Sequence, residues 1–153
     1  MPEVLVGLGD FAASYIVGPA NASPFAVSGE PFVQAWRATM AMPPATPWDA
    51  QLVVPLNLPV SNGDLLNVKF WMRCETLGAN GGCNTEFIFE RAADPWEKSV
   101  VFSASGSGEW TQKSEFFYLV NGYAAGDAHM VFRLGFADQV IDIGGLVVEK
   151  IAP

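Results

Sequence analysis

"DLLNVKFWMRC", residues 64–74, decides the fold class. Leu66, Val68, Phe70 and Met72 fall on one side of an extended chain, and Asn67, Lys69, Trp71 and Arg73 on the other. Successive side chains of a strand point to opposite faces of its sheet, so this alternation is that of a strand half buried in a sandwich. The stretch follows "VSNGD", whose Asn-Gly pair favours a tight turn. It ends at Cys74, beyond which "ETLGANGG" leads to Cys83. That glycine-rich spacer lets the two cysteines approach closely enough for a disulfide in an oxidising compartment, and two half-buried thiols are the other reading.

Working outward, the same alternation predicts strands over Phe32–Met40, Gln51–Leu56, Thr85–Arg91, Ser99–Ser103, Glu109–Leu119, His129–Phe136 and Gln139–Glu149. Turn clusters separate them: "GANGG", "SGSGE", "NGYAAGD" and the proline break "ADPW". Helical periodicity is missing throughout. Short strands at this spacing predict an all-β chain, a β-sandwich jelly roll of two antiparallel sheets. With 153 residues, half of them hydrophobic, one domain spanning 1–153 is expected. No repeat, linker or low-complexity tail interrupts it, and the segment reads as an excised module.

Charge narrows the partners. Eight Lys and Arg against 16 Asp and Glu give a net charge of -8, which repels phosphate backbones and anionic membranes. No apolar run is long enough to span a bilayer. The start, "MPEVLVGLGDF", lacks the basic and apolar regions of a signal peptide, so a secreted product is expected to have had its signal trimmed.

Catalytic signals are thin. His129 is the only histidine, which excludes a triad or a multi-histidine metal site, and it reads as a solvated strand-edge residue. Glu86 and Glu90 could pair as glycosidase acids, but acids spaced by an even number on a strand are common in any acidic β-protein. The "GSG" at 106–108 precedes a strand and so lacks a helix dipole for phosphate.

Aromatic supply stands out instead. Of five tryptophans, Trp36 and Trp110 read as core, and Trp71 covers the exterior or an edge. Trp48 and Trp96 each follow a proline at a strand mouth, where the stiff proline fixes the ring's direction. A pyranose packs its C–H face on such a ring while its hydroxyls seek planar polar partners. Gln51, Arg73, Glu90 and Gln139 supply those groups on or beside the same strands, although Arg73 and Glu90 could equally pair with each other.

Five stretches in order, "PWDAQL", "GDLLNVKFWMR", "FIFERAADPWEKS", "GEWTQKSEFFY" and "FRLGFADQVIDIGGLVVE", resemble the carbohydrate-binding modules of the family 4, 9 and 22 type that are appended to xylanases and other glycan-degrading enzymes. The resemblance covers roughly residues 32–150. It implies a jelly roll whose concave groove binds a β-linked polysaccharide, xylan or β-glucan, without catalysis and as a monomer, keeping a linked catalytic domain near its substrate. It implies ligand contact by Trp48, Trp96, Gln139, Arg73 and Glu90, and Gln51 joins these candidates as a planar polar group beside the same strands. Glycoside hydrolase or polysaccharide lyase activity and a purely structural spacer are the alternatives. Two departures matter. Gly144 and Gly145 stand where family members carry an acidic pair for structural calcium, leaving Asp10 and Asp142 as possible oxygen ligands that make a poor cage, so no cofactor is expected and structural calcium is the alternative. Ala12 replaces the glutamate that commonly follows "DF".

Overall fold

A computed structural model describes residues 2–42, 44–76 and 83–152. Its strands are β1 (Glu3–Val6), β2 (Tyr15–Val17), β3 (Asn21–Ala26), β4 (Gln34–Met40), β5 (Gln51–Pro55), β6 (Leu65–Thr76), β7 (Cys83–Arg91), β8 (Lys98–Gly106), β9 (Thr111–Tyr118), β10 (Ala128–Arg133) and β11 (Gln139–Ile151). Two 3₁₀ turns, Asp10–Ala13 and Pro47–Asp49, are the helical segments among the described residues.

All pairings are antiparallel. Sheet one runs β3-β4-β11-β6-β9, with β1 on the far half of β11; sheet two runs β2-β5-β10-β7-β8. From β4 onward the chain crosses between sheets at almost every connection, as a jelly roll does. Every strand expected from the alternation is present. The turns over 60–64, 121–127 and 93–96 fall between strands, β8 runs on to Gly106 so that the turn expected over 105–109 starts two residues late, and the "GANGG" loop lies outside the described residues.

The alternating stretch behaves as its pattern requires: Leu66, Val68, Phe70 and Met72 are fully buried. Phe70 of β6 meets Phe132 of β10 edge to face at 5.0 Å, and Phe87 of β7 closes on Phe132 at 5.4 Å. These rings join the two sheets, and burying each is worth about 1.5–3 kcal/mol. Cys74 and Cys83 form a buried disulfide with Cα atoms 5.7 Å apart, tying β6 of one sheet to β7 of the other.

Three N-terminal strands go beyond the sequence reading. β2 has three residues, too few to show a period, and β3 contains Pro24, which reads as a breaker. Pro24 is tolerated because β3 is the edge of sheet one.

Candidate functional site

The inward residues of β7, Phe87 and Phe89, belong to the core, so Glu86, Ile88 and Glu90 face outward. The outer face of sheet two is consequently organised in rows. Tyr15, Val53, Val131, Ile88 and Val101 align in register across β2, β5, β10, β7 and β8. Val53, Ile88 and Val131 form a buried apolar cluster of their own, outside the main core. At strand spacing this floor is about 19 Å long. One flanking row holds Gln51, Arg133 and Glu86, and the other holds His129, Glu90 and Lys98.

A cleft of about 640 Å³ opens over the Tyr15 and Val53 end of this row, with Trp48 on one side and Trp96 on the other. The Arg133 guanidinium stacks on Trp48 at 5.4 Å, and His129 stacks on Trp96 at 6.0 Å and 29°. Positions 129 and 133 are about 13 Å apart along β10 with Val131 between them. The indoles are thus opposite walls of one groove, 51% and 44% exposed respectively.

Each wall is held by its own backbone. Trp48 lies in the Pro47–Asp49 turn, where the Asp49 carboxylate accepts the Thr46 N–H at 3.2 Å and the Gln51 amide donates to the Trp48 carbonyl at 2.8 Å. Two glycines let neighbouring backbone close on this turn. A β-carbon at Gly18 would overlap the Asp49 carbonyl, and one at Gly135 would lie 2.8 Å from the Pro47 oxygen. Gly135 instead donates its N–H to that oxygen at 3.1 Å.

Trp96 sits in the β7–β8 hairpin at φ 55°, a left-handed conformation that costs an L-residue about 1–2 kcal/mol. Two clasps hold it there. In the groove, Glu90 accepts from His129 Nε2 at 2.9 Å and pairs with Lys98 at 3.1 Å, while Lys98 Nζ donates to the Trp96 carbonyl at 2.9 Å. Burial pushes the Glu90 carboxyl up, but hydrogen bonds from His129 and Lys98 and their charges more than reverse this, leaving it below the usual carboxylate value. Behind the hairpin, Glu97 accepts from Arg91, Asn121 and Tyr123. The Arg91 hydrogen bond chiefly holds its carboxyl down at about 2.

The structure thus brings together four of the expected site residues, Trp48, Trp96, Gln51 and Glu90. Arg73 and Gln139 do not line the groove. Arg73 is on sheet one, where it donates to Asp142 at 2.9 Å and lies under Trp110, so it cannot pair with Glu90. Gln139 is buried and bonds the Asn84 N–H and carbonyl and the Leu134 carbonyl. A glutamine satisfying three backbone groups is structural. His129 is not a solvated edge residue: β10 is the central strand of sheet two, and its ring is largely covered. Trp36 packs against the core and donates to the Phe11 carbonyl, whereas Trp110 lies on the outer face of sheet one rather than in the core. Tyr15, Lys98 and Arg133 complete the groove unforeseen. Arg133 and His129 alternate with Val131, a pattern that marked their shared face but not what faced it.

Gly144 and Gly145 make room for an aromatic ring. A β-carbon at either would meet Phe32 within 2.9 Å, and Phe32 packs there on Trp71 and Trp110. Asp10 accepts the Gly7 N–H, and Asp142 is shared by Arg37 and Arg73. Among the described residues no three His, Cys, Asp or Glu side chains gather as a metal site.

At the level of sequence, no family model and no curated protein matches the chain. Solved structures do match. A family 4 carbohydrate-binding module superposes with a TM-score of 0.72 at 12% identity, over 90% of this chain and 94% of that one. The family 22 xylan-binding domain of Paenibacillus barcinonensis Xyn10C gives 0.67 at 8% identity, over 99% and 97%. The N-terminal cellulose-binding domain of Cellulomonas fimi β-1,4-glucanase C gives 0.65 at 14%, over 96% and 98%. The chain has the fold of these carbohydrate-binding modules. At such identities the fold is held by the pattern of buried faces rather than by particular residues.

Proposed function

We propose that the protein is a non-catalytic carbohydrate-binding module that holds a β-linked polysaccharide, xylan or β-glucan, in the groove on sheet two. The observation that carries this reading is the pair of exposed indoles, Trp48 and Trp96, facing each other across an apolar floor. A sugar chain laid along that floor would stack its C–H faces between rigid rings, and the flanking rows would meet its hydroxyls. The similar solved structures named for xylan and cellulose binding support the same class of ligand.

Electrostatics support a neutral chain. Both cations of the groove are already engaged, Arg133 with Glu86 at 3.2 Å and Lys98 with Glu90 at 3.1 Å, so none is free for a uronate. The net charge of -8 adds repulsion toward acidic glycans. Hydrolysis is disfavoured by the same pairs. A glycosidase needs one carboxyl raised to serve as acid, whereas Glu90 is held low.

In this reading the module is secreted, acts as a monomer, and raises the effective concentration of a linked glycan-degrading enzyme at its substrate. Affinity electrophoresis across xylan, mixed-linkage glucan, cellulose, mannan and alginate tests it. Retardation by one of the neutral β-linked glycans and not by alginate is expected. Retardation by none, or release of reducing ends or unsaturated products, would overturn it.

A further inference from the structure

A second cleft, of about 300 Å³, opens on the same outer face of sheet two, beyond the groove. It is reached by following β7 and β8 past the floor. Glu86 pairs in register with Ser103, and Asn84 with Ser105. Phe136 closes one side as a half-buried ring. The cleft's composition is distinct from that of the groove. Apart from Phe136 and Ala104, its lining is hydroxyl, amide and carboxylate, a single ring beside planar polar groups. This is sugar-binding chemistry on the scale of one unit.

Its floor is braced from within. Gln139 accepts the Asn84 N–H at 2.9 Å and donates to the Asn84 carbonyl at 2.9 Å, and Thr85 Oγ1 donates to the Arg133 carbonyl at 2.8 Å. Ser105 donates to Asn84 Oδ1 at 2.8 Å, which orients the amide at the surface. The Glu86–Arg133 pair stands between cleft and groove, with Glu86 lining the cleft and Arg133 the groove.

Distance fixes what could enter. Arg133, which lines the groove, pairs in register with Glu86 of the cleft, and Asn84 lies about 7 Å farther along β7. A single sugar branching from a main chain held in the groove beside Arg133 would point over Glu86 and end among Asn84, Ser103, Ser105 and Phe136. We propose that this cleft is a branch subsite, which takes a single neutral sugar substituent carried by the main chain and makes the protein prefer a decorated glycan to its linear counterpart. This rests on the groove being the main-chain site.

The test is calorimetry with matched probes: xylohexaose against xylohexaose bearing one arabinosyl branch, and cellohexaose against cellohexaose bearing xylosyl branches. For the backbone that binds, the branched probe is expected to bind about threefold to tenfold tighter, the worth of one or two hydrogen bonds. Ser103→Ile/Ser105→Ile fills the cleft at exposed positions of β8, where a β-favouring side chain is tolerated. That variant is expected to lose the preference while binding the linear probe as the wild type does. Equal or weaker binding of the branched probe by wild type overturns the branch subsite and leaves the groove standing, as does a variant that weakens both probes alike. Binding of no probe overturns both.

Discussion

The two outer faces of the sandwich are built from the same residue types and end in opposite states. On sheet one, Arg37 and Arg73 grip Asp142, Phe25 and Trp110 cover the guanidiniums, and Phe32 fills the place vacated by Gly144 and Gly145 beneath Trp71 and Trp110. Sheet two also sets arginine beside tryptophan and acid beside cation, but its loops stand at the margins and leave the cleft between Trp48 and Trp96 open. The difference teaches that aromatic and charged residues do not by themselves make a ligand face. What matters is whether a connecting segment folds across them. The β3–β4 connection lays Phe32 over sheet one; on sheet two the Trp48 turn and the Trp96 hairpin rise at the sides.

The largest effect expected from breaking this contrast is at Asp142. Its carboxylate is fully buried against two guanidiniums, so Asp142→Ala leaves them facing each other and is expected to cost about 3–5 kcal/mol of stability. Glycan affinity per folded molecule should stay at the wild-type value. Denaturant titration alongside calorimetry checks both, and lost affinity in the folded variant would mean that the faces are not independent.

On the open face the effect should be of the opposite kind. Trp48→Ala and Trp96→Ala are each expected to weaken glycan binding by roughly 1–3 kcal/mol, tenfold or more, with little change in melting temperature. Arg73→Ala, on the covered face, is the matched control with no expected loss of binding. Unfolding of both tryptophan variants with unchanged affinity would make the walls structural.

A smaller change sharpens how the Trp96 wall is held. Glu90→Gln keeps the shape of the side chain but weakens the hold on Lys98 and His129. It should lower affinity about threefold to tenfold, with about 1–3 kcal/mol lost from stability. Indole fluorescence should report a more mobile Trp96; an unaltered spectrum and affinity would show that the clasp does not position the ring.

The smallest effect is the one set by pH. Glu97 has a folded value of about 2 against an ordinary 4.5, so the stability it contributes is complete above the ordinary value and lost as pH falls through about 2. The gap in melting temperature between wild type and Glu97→Gln should therefore be constant near neutrality and narrow as the medium is acidified. A gap independent of pH would show that the carboxylate is not held low.

Much of this architecture was legible in the chain itself. Residues 64–74 specified a strand with one buried face because a period of two leaves no other way to bury Leu66, Val68, Phe70 and Met72 together. The "PW" pairs located the groove walls, since a proline-stiffened tryptophan outside the alternation has no core position to fill. Length, alternation and glycine turns thus determined the β-sandwich, because burial acts on local patterns that the sequence displays. Only the tertiary structure decided which sheet is open. Arg73 and Glu90 look equivalent along the chain, and β11 and β10 set them on opposite faces; Gln139 looks like a groove residue, and the packing of β11 on the Asn84 backbone makes it a brace. The reason is physical: a side chain's role here depends on partners roughly forty to seventy residues away, which register and loop placement select and no local period encodes.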